Sequence, residues 1–584
     1  MIEAMNKWMR YMFLPAAFMW CAAAGYTQEP ALTKEITVET DFVPVEQKVT
    51  KLNILPEVKS TSVPAKTLSY SNWAGDTDIP YTINKFEPYG YNTRFVYSES
   101  RGYLDFGAGS QFNIVGSAGY KFLSTEQMTL RGWLQHSSTW KGKNTSPLAD
   151  GNPSKQKFND NIIGAGFTRK FDIGLLELDA YCHFDHFNYY GANENPDYDD
   201  LKNQTMTQFA LKAGWKNRKP VKSLFDYSAK LAFSHFGFSK GAGNTGDGLC
   251  ENRVYAKFGL NARFGSFVAG LDANGDYLSY SNAYLDDNED DNMGLLKISP
   301  YLLYNQDDFY IKGGVNLDMS SNAGASMKIS PNVKAGYRVL DGVSVYTDVS
   351  GGKTLNRVSG YFAQNRYIAP NVILGSTYIP VDFTAGIKIG PFDGFHLRPF
   401  FGYGVFKDAM AFYIHGKEAA PGGVIQPMIT PYTYMSGTDL KGWNAGVEFG
   451  YKYNDLVNLT FGMKYSPQDL DKGYFLGEDR AETVLKAQIE VKPLKPLRIT
   501  LDFDWRSGRK CYSYYGMVGS PAVTSWGEQK LGNVTDLSMN AHYQIKKNIG
   551  VFIYAANLLN KQWDVSPGMG AQKVNLLAGV NIFF

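Results

Sequence analysis

Residues 491–508 read VKPLKPLRITLDFDWRSG, and from Leu497 onward the stretch alternates without a break. Leu497, Ile499, Leu501, Phe503 and Trp505 take one parity, and Arg498, Thr500, Asp502, Asp504 and Arg506 the other. A period of two puts successive side chains on opposite faces of a β-strand. Such a strand suits a soluble sandwich, with its charges toward water. It suits a membrane barrel equally, with its apolar face on lipid and its charges toward a wet lumen.

The pattern along the rest of the chain separates the two. Trp443, Ala445, Val447, Phe449, Tyr451 and Tyr453 alternate with Asn444, Gly446, Glu448, Gly450 and Lys452. Val457, Leu459, Phe461, Met463 and Tyr465 repeat the pattern, as do Thr483, Leu485, Ala487, Ile489 and Val491 opposite Lys486, Gln488 and Glu490. The connections fall into two classes. Short, turn-like ones lie near 123–127, 169–173, 216–222, 264–267, 305–308, 340–342, 390–394, 453–456, 491–495 and 545–549. Longer polar ones include 140–159, 187–205, 277–293, 351–379, 407–439, 466–480 and 507–533. The two classes alternate, so tight turns gather at one end and long loops at the other. A soluble sandwich has no reason to segregate them, whereas a transmembrane barrel has short periplasmic turns and longer extracellular loops. Ten short turns predict an all-β, antiparallel transmembrane barrel of about 22 strands, within a range of 20 to 24. A large soluble propeller would carry a blade-length repeat, and the sequence shows none.

Composition agrees. Of 584 residues, 39 are Tyr, 37 Phe and 59 Gly, and aromatics total 15%. That mixture suits half-exposed strands, tight turns and aromatic girdles. The net charge of +2 gives no electrostatic footprint for nucleic acid.

Lys7 and Arg10 precede the apolar run 11–24 (YMFLPAAFMWCAAA), which ends in the small residues Ala22, Ala23 and Ala24. This is the pattern of a secretory signal peptide, residues 1–24, and it is too short to span a bilayer. Trp20 before Cys21 is too large for lipoprotein processing. Cys182, Cys250 and Cys511 remain, which make no disulfide framework. Residues 25–97 form a separate leader, Pro-punctuated at Pro30, Pro44, Pro56 and Pro64, and read as extended chain. The barrel occupies residues 98–584. An exported chain with no long apolar helix crosses a membrane only as a closed barrel.

The last strand, KVNLLAGVNIFF at 573–584, carries Gly579, Ile582 and terminal Phe584 in a Gly-x-x-apolar-x-aromatic pattern. Upstream, Asn557, Leu558, Leu559, Asn560 and Lys561 form an Asn-Leu-apolar-Asn-Lys stretch. Together these resemble the closing hairpin of TonB-dependent outer-membrane receptors, although Leu577 replaces the polar residue expected before the glycine. The resemblance implies a 22-strand barrel in the outer membrane of a Gram-negative bacterium, surrounded by outer-membrane lipid. It also implies a C-terminal insertion signal for the barrel-assembly machinery at Gly579, Ile582 and Phe584, and transport of a solute. Receptors of this family carry a plug domain and a short TonB-contacting segment. The stretch 34–39 (KEITVE) is similar to that segment, with Ile36, Thr37 and Val38 in its apolar-Thr-Val positions. Residues 25–97 are too short for the usual plug, so the chain reads as a plugless or reduced-plug relative, and KEITVE as an extended β-prone segment in preference to a working TonB box. A second function class fits the leader almost as well: a non-transporting barrel subunit, with lipoprotein partners, in an assembly, export or surface-attachment complex.

A barrel this wide cannot be filled by side chains, so the leader or the long loops are expected to fold inward. Lys452, Lys486, Glu490, Arg498, Asp502, Asp504 and Arg506 are candidate lumen-facing residues. They line a polar path or neutralise one another in cross-strand ladders. Asp286, Asn288 and Asp290 place oxygen ligands at alternating positions, a spacing that suits Ca²⁺. Asp291 replaces the glycine of a Ca²⁺ loop and Lys297 its closing glutamate, which favours an exposed acidic tip, as at 193–200. His183 and His186, three apart in a strand, fall on opposite faces and make poor joint metal ligands. No nucleotide fingerprint appears and no Ser–His pair is defensible, so the chain does not read as an enzyme.

Overall fold

The computed structural model describes residues 100–146, 153–190, 203–217, 224–241, 246–282, 292–306, 308–371, 374–418, 425–427, 434–467, 481–515 and 525–584. The signal peptide, the leader with Ile36, Thr37 and Val38, the acidic tip with Asp286, Asn288 and Asp290, and residues 193–200 lie outside the described residues.

The main sheet has 25 strands, of which Ile425–Pro427, Lys510–Tyr515 and Ser525–Lys530 are short pieces above the rim and 22 form the wall. Each wall strand pairs antiparallel with the next, and Gly102–Gly109 pairs with Asn575–Phe583 to close the cylinder. The register at this seam runs from Tyr103 opposite Phe583 to Gly109 opposite Leu577. At its lower end Gly102 N–H donates to Phe584 O (2.7 Å) and Phe584 N–H to Gly102 O (3.0 Å). Each of the ten short turns read from the sequence joins two wall strands. Asp393 and Gly394, both at positive φ, make one of the tightest, joining Ser376–Phe392 to Phe395–Glu418. Their twist is the one a two-residue hairpin needs.

The wall faces two solvents. Ile163, Leu231, Leu302, Ile329 and Ile553 lie outward and are more than half exposed. Phe122, Phe264, Tyr337, Tyr453 and Phe584 stand outward at the short-turn end. A continuous apolar belt with aromatics at its edge is stable only against hydrocarbon. The opposite parity carries the charges. In Leu497–Ser507 every residue but Arg506 is only partly covered, on both faces, because neither face packs on a protein core.

Two features depart from the sequence reading. The segment 407–439 is strand for much of its length, since Phe395–Glu418 and Tyr434–Tyr453 keep pairing from Ala409 opposite Thr438 to Tyr413 opposite Tyr434. About 9–11 tilted residues suffice to cross the bilayer, so this hairpin stands well above it. Its upper part is buried at both parities, Ala409 and Ala411 on one and Phe412 and Ile414 on the other, and so loses the two-residue alternation. At the other extreme, the first extracellular connection is a single turn, Ser110–Phe112.

This two-solvent wall gives a direct test on neighbouring positions. Ile489 faces outward and Gln488 inward, where its amide donates to Asp502 (2.6 Å). Ile489→Arg is expected to destabilise the barrel by about 2–4 kcal/mol, the cost of an arginine near the midplane on the lipid side. Gln488→Arg is expected to cost far less. Urea unfolding in lipid vesicles, followed by the heat-dependent gel shift of folded barrels, measures both, and equal effects would contradict the assignment of faces.

Candidate functional site: the extracellular mouth

The largest buried apolar cluster sits at the long-loop end of the cylinder, within its mouth. Residues 356–371 leave the strand Val343–Leu355 and turn inward, forming the short helix Val358–Phe362. Phe362 enters a ring of aromatics, 5.8 Å from Phe187, 5.5 Å from Phe236 and 5.6 Å from Phe238. These belong to the upper ends of Gly174–Asn188 and Phe225–Phe238. Ring pairs at this spacing add to what burial alone contributes.

Two polar clamps hold the segment. Glu251, 1% exposed, accepts from Val358 N–H (2.7 Å), Ser359 Oγ–H (2.6 Å) and Tyr280 O–H (3.2 Å). The helix has no cap of its own, so a carboxylate from a wall strand satisfies its first N–H. The second clamp is Arg366. Its Nη2 lies 3.4 Å from Asp160 and its Nε 3.4 Å from Asp185, with the guanidinium 4.4 Å from the Phe158 ring centre. Asp160 and Asp185 face each other across neighbouring strands, and His183 Nε2 lies 2.8 Å from Asp160. Burial alone would weaken the hold of Arg366 on its proton. Asp185, Tyr367 and Asp160 outweigh it and raise the guanidinium above its ordinary value, so it stays charged.

A second loop meets the first. Residues 557–574, which join the last two wall strands, also turn inward, and Asn365 Nδ2–H donates to Ser566 Oγ (3.3 Å) between them. Asn557 organises this loop. Its amide donates to the carbonyls of Lys561 and Gln572 (2.9 Å each), and its Oδ1 accepts from Lys561 N–H (3.0 Å). Asn557 and Asn560 both hold positive φ, a conformation asparagine tolerates better than most residues. That accounts physically for the Asn-Leu-Leu-Asn-Lys stretch. From the same loop Gln572 reaches Thr139 (3.2 Å) and Gln156 (3.1 Å), while Gly570 O accepts from Tyr190 O–H (3.1 Å).

The seven residues named as lumen candidates stand elsewhere. On the wall from Tyr434–Tyr453 to Leu497–Ser507 they share the inward parity, and Glu490, Arg498, Asp504 and Arg506 are held in ion pairs. Glu490 lies 3.6 Å from Arg498 and 3.7 Å from Lys492. Asp504 accepts from Arg506 (2.9 and 2.6 Å), Asp502 from Gln488, and Lys486 faces Asp504 across the ladder. Lys452 faces Asn458 next to a short turn. His183 points inward, and His186, on the other face, pairs with Thr205. Gly579 lies beneath the Phe552 ring, where a Cβ would collide. Ile582 and Phe584 share the outward parity, and Phe584 stacks on Tyr120 at 6.1 Å. Cys182 and Cys250 are free thiols. Sequence reasoning missed Glu251, Arg366, Asp185 and Phe362. Glu251 and Asp185 carry one local signal, a charge at the upper end of an inward parity, and Phe362 and Arg366, in the inward loop, carry none.

Comparison with known proteins places the wall. No family model and no curated protein sequence matches the chain. Among solved structures it is similar to the siderophore receptor PirA from Acinetobacter baumannii, at 13% identity and TM-score 0.61, covering 84% of this chain and 81% of that one. It is similar to the FrpB iron transporter from Neisseria meningitidis, F3-3 variant, at 11% identity and TM-score 0.62, covering 84% and 82%. The copper transporter OprC gives 11% identity and TM-score 0.57, covering 84% and 81%.

Removing Arg366 tests the clamp. Arg366→Ala strips Asp185, 1% exposed, of its ion-pair partner, and breaking a buried pair from one side costs about 3–5 kcal/mol. Amide hydrogen exchange across 357–369 is expected to accelerate while the wall strands keep their protection. Unchanged exchange there would contradict the clamp. The chain has the 22-strand barrel fold shared by these receptors and transporters.

Proposed function

We propose that this protein takes up a solute across the outer membrane, admitting it when residues 356–371 and 557–574 leave the mouth. The observation that carries the reading is the pair of inward loops. They cover a water-lined cylinder and are held by polar contacts that can exchange for contacts to a ligand. The siderophore, iron and copper proteins that share the fold support a metal or its chelate as the cargo class. They are receptors and transporters, which favours transport over an enzymatic role. The reading implies TonB as the energising partner, outer-membrane lipid as the surround, and Gly579, Ile582 and Phe584 as the segment the assembly machinery engages.

A reversible lock tests it. Cysteines at Asn365 and Ser566, in a background without other cysteines, would tie the two loops together. In a strain lacking the native gene, the unlocked protein is expected to restore uptake of a ferric chelate or copper. The oxidised lock is expected to abolish that uptake, and a reductant to return it. No uptake defect in the deletion strain, with lipoproteins co-purifying on the barrel, would overturn the reading in favour of a non-transporting subunit.

A further inference from the structure

The lumen wall is not electrically uniform. Between Tyr434–Tyr453 and Leu497–Ser507, cations meet carboxylates across the ladder. Across the cylinder's other strands like charges also face each other, Asp160 with Asp185 around Arg366 and Lys312 with Lys334 beside Asp348, and one further facing pair makes no ion pair at all. Lys230, in Phe225–Phe238, lies directly opposite Lys257, in Cys250–Phe264, on the inward parity. On their other sides these lysines face Gly214 and Asn274, neither of them acidic. Among the described residues neither ammonium group makes an ion pair or a hydrogen bond. Like charges directly opposite in an antiparallel pair are destabilising, so the sheet carries this arrangement at a cost to its own stability.

The neighbouring inward side chains extend the positive arc. Lys212 lies diagonal to Lys230, with its Nζ 5.2 Å from the Tyr181 ring centre. Lys312 lies two strands beyond Lys257's neighbour, 3.9 Å from the Tyr301 ring centre. Most of the acids nearby are engaged elsewhere. Asp179, opposite Lys212, pairs with Arg131 (3.3 Å), and Asp276 is held by both nitrogens of Arg253 (2.7 and 2.8 Å). Asp318 pairs with Lys297 (3.6 Å) and Asp348 with Lys334 (3.0 Å). Asp272 faces Gly259 and Ser299, one row from Lys257, Asp226 lies two rows below Lys230, and Glu177 leans over Gly214 from the strand beyond without pairing with Lys230. Lys230 is five residues above the start of its strand. At about 3.3 Å per residue and a tilt near 45° it sits roughly 12 Å above the short-turn end, deep in the lumen.

We propose that Lys212, Lys230, Lys257 and Lys312 form an anion-binding wall within the lumen, which accepts a solute bearing phosphate or carboxylate groups. Two adjacent ammonium groups that make no ion pair, beside tyrosine rings and the Asn274 amide, bind a multivalent oxyanion in a confined space where the field is focused. This assignment rests on the transport reading only for the role of that anion as cargo.

The test uses the full chain in lipid nanodiscs, with inorganic tripolyphosphate and citrate as probes in titration calorimetry at low and high ionic strength. Both probes are expected to bind, more weakly as salt screens the charges. Lys230→Gln/Lys257→Gln is expected to weaken binding at least tenfold, and Lys486→Gln on the neutralised wall to change it less than twofold. The double variant is expected to unfold at the same or a higher temperature than the native protein, since it loses a like-charge pair. Lysines with a structural role would give a lower one. Binding of tripolyphosphate alone would narrow the class to phosphates. No binding of either probe, an unchanged affinity in the double variant, an equal loss in Lys486→Gln, or a destabilised double variant would overturn the proposal. A deletion strain with normal uptake would overturn transport and leave the binding result standing.

Discussion

Inside hydrocarbon no water is available to a backbone N–H or C=O, and each one left unpaired costs several kcal/mol. A sheet crossing a bilayer must therefore have no edge. In this chain the first and last strands meet that demand together, from the Gly102–Phe584 pair upward. The seam is marked by side chains as well. Asp105, 4% exposed, accepts from Asn581 Nδ2–H (2.5 Å) and Ser117 Oγ–H (2.9 Å) on the two strands flanking its own. Gly107 and Gly579 face each other beneath the Phe552 ring and leave room for it. A slip of one residue would turn Asp105 toward lipid, so the register is strongly specified.

Closure with 22 strands has a second consequence. The enclosed space is too wide for side chains to fill, so the wall has no core behind it and the densest apolar packing moves to the mouth. There the chain folds loops inward and builds a small core from aromatics supplied by strand ends and by residues 356–371. The loop stays attached through Glu251 and Arg366, which are charge-assisted contacts stronger than neutral hydrogen bonds but exchangeable for contacts to a ligand. Closed wall, wet lumen and covered mouth are thus successive answers to one requirement.

The wall was legible in the sequence because it is written locally. In 497–505 the identity of each residue reports its solvent, and the short turns count the strands. The closing hairpin was legible for a similar reason, since Asn557 and Asn560 serve their own loop. The mouth was not. Glu251 meets Val358 107 positions away, and Arg366 meets Asp160 206 positions away. No local period encodes a partner at that distance, and a buried glutamate at a strand end looks like any rim charge. The upper hairpin 407–439 was misjudged because strands covered at both parities, as at Ala411 and Phe412, lose the alternation that announces them. The Lys230–Lys257 pair escaped because facing residues become visible only when register is known.

The central claim is that one strand face meets acyl chains while the other meets water sealed within a cylinder. Nitroxide labels placed singly along Leu497–Ser507, with the protein in lipid vesicles, test it through collision with oxygen, which concentrates in lipid, and with a water-soluble nickel chelate. Positions 499, 501 and 503 are expected to favour oxygen and positions 500, 502 and 504 the nickel chelate, in strict alternation. Equal access to nickel at both parities, or a helical period, would contradict the barrel.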